Sequence, residues 1–240
     1  MNERNPHILK TWLAKAAADA DSFIGEQRPY LTWVYGYRHL GRWEVTSADG
    51  HRMHIAHHLP ALLRADAEKE GDVYVIELPN SVTDDSGISK WAMKIAENVH
   101  VVSRPVIENR HSVCYVNPAH LMREAKWINA YEDAPIVLSA ARSNLEVWGR
   151  AHFGVLPAAR VPEPFKIMVN PQYLMDALWI HYYEPAVALY VDPTNTVLGV
   201  GDPNGNFAVI MAMAGTTPSH PHTMRHTIEM SEDMAVTYEV

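Results

Sequence analysis

Cysteine is nearly absent, since the 240-residue chain has one, Cys114. A single thiol excludes an internal disulfide and indicates a reducing compartment. We interpret Cys114 as a small buried residue on a strand over 113–116, not as a nucleophile. The chain also lacks a signal peptide and any apolar run of about 18 residues. We therefore expect a soluble, cytoplasmic protein with no membrane partner.

Basic residues are also scarce. Lys and Arg number 20 against 28 Asp and Glu, which gives a net charge of −8. This balance excludes a simple basic nucleic-acid binder, in which Lys and Arg are in excess. It leaves open an acidic protein that carries a local basic surface.

Recognisable catalytic motifs are missing as well: there is no phosphate-binding Gly loop, nucleophile elbow or carboxylate pair. Fourteen histidines are the main sign of an enzyme. Four of them are close in sequence, but on a strand His54 and His58 would lie about 13 Å apart, and His57 and His58 would face opposite sides. The four histidines, His51, His54, His57 and His58, therefore do not form one metal site by themselves. We predict no catalytic residue, metal or cofactor, and keep a metal-dependent enzyme as the lesser alternative.

A repeated motif is the most informative feature that is present. Asn-Pro-x-x-Leu occurs over 5–9, 117–121 and 170–174, whereas about 0.05 copies are expected by chance. Asn caps free N–H groups at a helix start, and Pro at the first helical position lacks the N–H that would be left unpaired. Apolar residues follow each copy at helical spacing. The sequence therefore predicts three helices that begin in the same way.

The spacing of the copies predicts two repeated domains. The step from Asn5 to Asn117 is about twice the step from Asn117 to Asn170. We interpret the longer step as one domain and the shorter as the distance between equivalent helices within a domain. The expected domains are 1–111 and 112–214, and the second helix of the first domain is predicted over 86–97, behind a start signal at 84–86.

Residues 215–240 form a separate tail, rich in Thr, Pro and His. His220, His222 and His226 would be able to hold a metal if this segment were ordered. Its polar composition favours a mobile or partner-dependent tail.

Short runs rich in Val, Ile, Tyr and Trp predict antiparallel strands between the helices. Asp49-Gly50 predicts a tight hairpin turn, where positive φ is needed. The fold class is α+β, with two helices of each domain packed on antiparallel sheets. The predicted strands cover 30–37, 42–47, 51–58, 72–78, 100–107, 112–116, 135–140, 145–148, 151–156, 165–169, 186–191, 196–200 and 207–213.

Three segments resemble a known family, the bacterial DNA polymerase III β subunit or β sliding clamp. The hairpin over 46–53, TSADGHRM, resembles a turn of the family's middle domain. The segments over 169–178, VNPQYLMDAL, and 208–213, AVIMAM, resemble a helix and the final strand of its last domain. The resemblance implies a DNA-clamp fold, in a shortened member that has the middle and last domains.

A sliding clamp performs no reaction; it encircles duplex DNA without sequence specificity and tethers a polymerase. The resemblance therefore implies a nucleoid-associated processivity factor that binds polymerase and clamp-loader subunits through short peptide motifs. The family closes a ring of six domains, so two domains per chain favour a homo-oligomer of three copies. A monomer, a dimer or a ring of another size also satisfies the sequence.

The resemblance also assigns site residues. The implied pocket for a partner peptide consists of Gly50, His51, Arg52, Met53, Pro79, Val209, Ile210, Met211 and Met213. A buried core strand is the alternative interpretation of 209–213. The helices should face the DNA, and the candidate phosphate contacts are Lys10, Lys15, Lys90, Lys94, Arg123 and Lys126.

Some features depart from the family. The helix from Pro171 has no Lys or Arg through Tyr183 and carries Asp176, Ala212 stands where the family has Pro, and Ala214-Gly215 replaces Arg-Leu. The uncharged helix and the missing third domain favour an alternative function. In that alternative the protein is a clamp-derived adaptor or regulator that binds clamp-interacting peptides without encircling DNA.

Overall fold

A computed structural model of the chain describes residues 6–19, 21–39, 42–57, 73–76, 112–159, 163–192, 194–201 and 205–220. The predicted helix over 86–97, the predicted strand over 100–107 and the tail after residue 220 lie outside these residues.

The Asn-Pro motifs start helices, as the sequence predicts. The Asn117 side chain accepts a hydrogen bond from the N–H of His120 at 3.1 Å, and Asn170 accepts one from Gln172 at 2.8 Å. Pro6 opens the first helix. The α-helices in the described part are α1 (Pro6–Ala14), α2 (Phe23–Gln27), α3 (Pro118–Tyr131) and α4 (Pro171–Trp179).

The strands pair antiparallel throughout the described part of the chain, and they form a 12-stranded sheet in the order β4-β1-β2-β3-β12-β11-β10-β5-β8-β7-β6-β9. The predicted strand over 30–37 starts only at Val34, because Pro29 begins a 3-10 helix (Pro29–Thr32). The strands are β1 (Val34–His39), β2 (Arg42–Ala48), β3 (Arg52–His57), β4 (Val73–Ile76), β5 (Ser112–Val116), β6 (Ile136–Ala141), β7 (Asn144–Trp148), β8 (Phe153–Ala159), β9 (Phe165–Val169), β10 (Val187–Val191), β11 (Val197–Gly201) and β12 (Phe207–Met211).

The sheet order shows the internal repeat. β4-β1-β2-β3 in the first half and β9-β6-β7-β8 in the second half have the same arrangement. The halves join where β3 pairs with β12, with Ile55 opposite Phe207 and Arg52 opposite Ile210. One sheet therefore continues across the boundary between the halves.

The main apolar core of the described residues lies between the helices and the sheet. Trp12 and Leu13 of α1, Leu121 of α3 and Leu174 of α4 have no exposed surface. Each fully buried Leu stabilises the fold by about 1.5–3 kcal/mol. Cys114 is also buried, and burial raises the pKa of its thiol to about 11. It is therefore a protonated core residue at neutral pH.

His54 joins α1 to β3 inside this core. Its ring stacks on Trp12 with centroids 4.3 Å apart, and its Nδ1 lies 2.8 Å from the backbone carbonyl oxygen of Trp12. Because a carbonyl only accepts, Nδ1 carries the proton. Burial lowers the pKa of His54 from 6.5 to about 3. The ring is therefore neutral at physiological pH.

Replacing His54 by Phe should flatten the acid side of the stability profile. Between 6.5 and about 3 the unfolded side chain binds a proton that the folded one does not. The contribution of the neutral His54 to the free energy of unfolding is therefore fully present above pH 6.5. It decreases as the pH is lowered toward about 3, by up to about 1.4 kcal/mol per pH unit. Urea unfolding at about pH 7 and about pH 5 should show a smaller loss for His54→Phe than for the wild type. Equal losses would contradict a neutral buried His54.

Candidate functional site

The hairpin between β2 and β3 is held by one carboxylate. Asp49 Oδ1 accepts hydrogen bonds from the backbone N–H groups of His51 at 2.9 Å and Arg52 at 3.0 Å. Gly50 has φ 93°, which an L side chain rarely adopts. The Asp-Gly pair therefore fixes the turn and places His51 and Arg52 at the seam between the halves.

Arg52 connects this hairpin to α4. Its Nε donates to Asp49 Oδ2 at 3.0 Å, and its Nη1 forms an ion pair with Asp176 Oδ2. The guanidinium lies over the Tyr173 ring, 4.4 Å from the centroid. Both carboxylates are buried, so this one cation provides a partner for two charges that would be costly to bury unpaired.

Asp176 receives further donors from the helices. Lys15 Nζ lies 3.4 Å and Gln172 Nε2 lies 3.0 Å from its Oδ1. Its backbone carbonyl accepts from Trp12 Nε1 at 3.1 Å. The sequence predicts that this helix carries Asp176 and no Lys or Arg. The structure adds that the Asp176 carboxylate is paired with Arg52 and Lys15.

The predicted pocket residues lie together at the seam, except Pro79, which is outside the described residues. The backbone N–H of Met211 donates to the carbonyl of His51 at 2.8 Å. Gly50, His51, Met211 and Met213 are exposed, and Arg52 is half-buried. The other predicted members are buried beneath this surface, one on β3 and two on β12. They are Met53, Val209 and Ile210.

Two features of this surface are not predicted by the sequence pattern. Tyr173 of α4 lies beside the hairpin, with its ring centroid 6.4 Å from that of His51. Burial and the Asp49 carboxylate raise the pKa of Tyr173, so its hydroxyl stays protonated. The short helix α2 borders a cavity of about 240 Å³ against Asp49, Gly50 and His51. Its Phe23 is 72% exposed.

Tyr173 could have been identified from its place in the motif Asn170-Pro171-Gln172-Tyr173-Leu174. The capped helix start fixes on which side of α4 each residue of the motif lies. α2 has only its Ser22 cap, which accepts from the Gly25 N–H. Five residues give too short a helical period to recognise.

The candidate DNA-contacting residues within the described part lie on the helix layer. Lys10 lies on α1, Lys15 follows it, and Arg123 and Lys126 lie on α3. Lys90 and Lys94 fall outside the described residues. The Arg123 side chain is 70% exposed. This layer therefore carries cations from both halves of the chain.

Glu124 is the carboxylate beside Arg123 on α3. It accepts from His152 and, at 3.0 Å, from Arg123 Nη2. Partial burial alone would raise the pKa of Glu124, but the hydrogen bonds from His152 and Arg123 lower it below its usual value. Glu124 is therefore an ionised, paired carboxylate and not a free negative charge.

Among the described residues, no three His, Cys, Asp or Glu side chains gather as a metal site. No helix in the described ranges is both long and apolar enough to cross a bilayer.

Removing the Asp176 charge should destabilise the seam. Asp176→Asn leaves Arg52 with Asp49 as its carboxylate partner at 3.0 Å and replaces the second carboxylate by a neutral amide, so we expect a loss of about 1–3 kcal/mol. Lys15→Ala is the matched comparison, because Lys15 is 32% exposed and an exposed pair contributes about 1 kcal/mol or less. Urea unfolding of both variants measures the difference. An unchanged midpoint for Asp176→Asn would show that the bridge does not hold the halves together.

No protein-family model matches the chain, and no curated protein matches it. Solved structures do match. The DNA polymerase III subunit beta of Borrelia burgdorferi has a TM-score of 0.63 and 13% identity over 90% of this chain and 64% of its own. The β subunit of Thermotoga maritima has a TM-score of 0.62 and 14% identity over 88% of this chain and 65% of its own.

A putative β subunit from Eubacterium rectale has a TM-score of 0.57 and 15% identity, and the match covers 90% of this chain and 67% of that one. The chain therefore spans slightly less than two thirds of the Borrelia burgdorferi and Thermotoga maritima chains. The helix layer, the repeated antiparallel sheet and the seam hairpin give this chain the fold of the bacterial DNA polymerase III β subunits, the sliding clamps.

Proposed function

We propose that the protein is a two-domain sliding clamp that encircles duplex DNA as a ring of three copies. Its domains are 1–111 and 112–214, and it tethers a polymerase or another DNA enzyme through a peptide pocket at the seam. The clamp fold and the continuous β3–β12 seam carry this proposal. The role requires no catalytic group.

The edge of β8 supports ring formation. β8 has the place in the second half that β3 has in the first. β3 pairs along β12, whereas β8 pairs with β5 only through Ala158 and Ala159. No second strand of the described part covers residues 153–157 on that side. A strand from another copy would repeat the seam there and continue the sheet from copy to copy.

The seam surface has the properties of a peptide site. Exposed Met211 and Met213 provide adaptable apolar contacts. His51, Arg52 and Tyr173 edge them with polar groups and rings. Such a surface suits a short linear motif with Leu or Phe anchors, which polymerase and clamp-loader subunits would supply.

The helix layer is the proposed DNA side. Lys10, Lys15, Arg123 and Lys126 contact phosphates without reading sequence, and Lys90 and Lys94 are the further candidates. Since Asp176 and Glu124 are paired, they do not oppose this contact.

Light scattering over a concentration series tests the ring. We expect a species of three times 27.0 kDa. Val155, on β8, is 49% exposed, so Val155→Lys should fold but oppose edge pairing and shift the mass toward the monomer. Val155→Thr should keep the trimer. A monomer at every concentration for the wild type would contradict encirclement and leave the non-encircling adaptor.

Met211→Glu tests the pocket. The side chain is 49% exposed, so the variant should fold normally while placing a charge in an apolar contact. We expect at least about tenfold weaker binding of a clamp-binding peptide, measured by fluorescence anisotropy. Met211→Leu should bind as the wild type does. Retained affinity in Met211→Glu would place the peptide elsewhere.

A further inference from the structure

Five aromatic side chains on or next to α3 and α4 are exposed to solvent. Tyr183 is 96% and Tyr131 is 74% exposed, and Trp127, Trp179 and Tyr182 are each close to 40% exposed, at 41%, 38% and 40%. Single exposed apolar residues are normal on protein surfaces, but adjacent ones mark binding sites. The core does not use these rings.

Three of the rings border one cleft. Trp179, Tyr182 and Tyr183 line a depression of about 680 Å³ between α1, α3 and α4, with Met122 and Met175 among its other walls. The helix α4 ends at Trp179, and residues of the segment that follows, through Glu184, border this space. The cleft opens on the surface that is proposed to face DNA.

Cations lie over the same rings. Lys15 Nζ is 5.5 Å from the Trp179 centroid, and Lys126 Nζ is 6.0 Å from the Tyr182 centroid. Both lysines line the cleft. Rings interleaved with cations form the arrangement by which proteins hold single-stranded nucleic acid, where bases stack and phosphates meet the charges.

The nearby carboxylates do not repel phosphates strongly. Asp176 is paired with Arg52 and Lys15, and Glu124 is paired with His152 and Arg123. Glu184 also lines the cleft. Among the described residues, Lys15 and Lys126 are the cations of the lining, and Lys15 is shared between Asp176 and the cleft.

We propose that this cleft binds unpaired bases of single-stranded DNA, which stack on Trp179, Tyr182 and Tyr183 while Lys15 and Lys126 contact the phosphates. The inference rests on the proposed function, which brings DNA to this surface. A duplex keeps its base faces stacked internally and would leave the rings unused. An apolar protein surface would bury the ammonium of Lys126, which lies over the Tyr182 ring, away from water without an anionic partner of its own in the described part of the chain. The observations favour single-stranded DNA over either.

The consequence for a clamp is a position preference on its template. A ring that contacts duplex only through phosphates slides freely. A base-stacking cleft on the same surface would add affinity wherever single-stranded template follows duplex. The ring would then dwell at a junction between single-stranded and double-stranded DNA.

Fluorescence anisotropy of the full chain with labelled oligothymidylate of about 16 nucleotides tests the proposal. Trp179→Ala combined with Tyr183→Ala should weaken binding by about fivefold or more for each ring lost. Trp179→Phe combined with Tyr183→Phe is the matched control, because Phe keeps a stacking ring, and it should retain most of the affinity. Adding salt should weaken wild-type binding.

Equal affinity of the alanine variant and the wild type would overturn the proposal, as would the absence of oligothymidylate binding by the wild type. Self-association that the alanine variant abolishes would also overturn it, by making the cleft an interface between copies. Retention on closed circular duplex is a separate readout. A wild type that is retained on circles but ignores oligothymidylate keeps the clamp function and loses this inference. Binding to oligothymidylate that depends on Trp179 and Tyr183, without retention on circular duplex, supports this inference and contradicts the clamp function.

Discussion

The pairing of β3 with β12 is the constraint on which the rest of the structure depends. A slip of one residue in this pairing would turn every side chain of β12 to the opposite face. The register is fixed at its end, where the N–H of Met211 donates to the carbonyl of His51. Arg52 then holds α4 to the same hairpin through Asp176. The contacts that join the halves therefore also leave Met211 exposed at the proposed peptide site.

One carboxylate links the proposed peptide site to the cleft on the helix layer. Asp176 binds Arg52, which faces the seam, and Lys15, which lines the aromatic cleft. A bound peptide that drew Arg52 away would leave Asp176 to Lys15 alone, and would strengthen that pair at the expense of phosphate contact. The physical basis is competition for one buried negative charge. The proposed peptide site and the cleft therefore share one charge network of three side chains, Arg52, Asp176 and Lys15.

Local chemistry made part of this structure predictable. The Asn-Pro caps, the Asp-Gly turn and the strand 207–213 follow from rules that act within a few residues. The ion pair between Arg52 and Asp176 does not follow from such rules, because the two residues are 124 positions apart in the sequence. The sequence pattern therefore placed Asp176 on its helix without its partners, did not identify Tyr173 as part of the site, and gave no indication of a neutral His54 in the core. α2 was too short to show a helical period.

The uncharged surface of α4, the main departure from the family pattern, has a physical explanation. Arg52 of β3 and Lys15, which follows α1, pair with Asp176, so α4 needs no Lys or Arg of its own. The last residue of α4 is the partly exposed Trp179. Each phosphate contact adds about 0.9 to the salt slope of duplex binding, so few cations give weak, easily broken contact. Weak contact would suit the proposed ring, because a closed ring is retained by topology and slides faster when it binds loosely. The proposed stacking would add affinity only where bases are unpaired, and so would restore position without slowing motion along duplex.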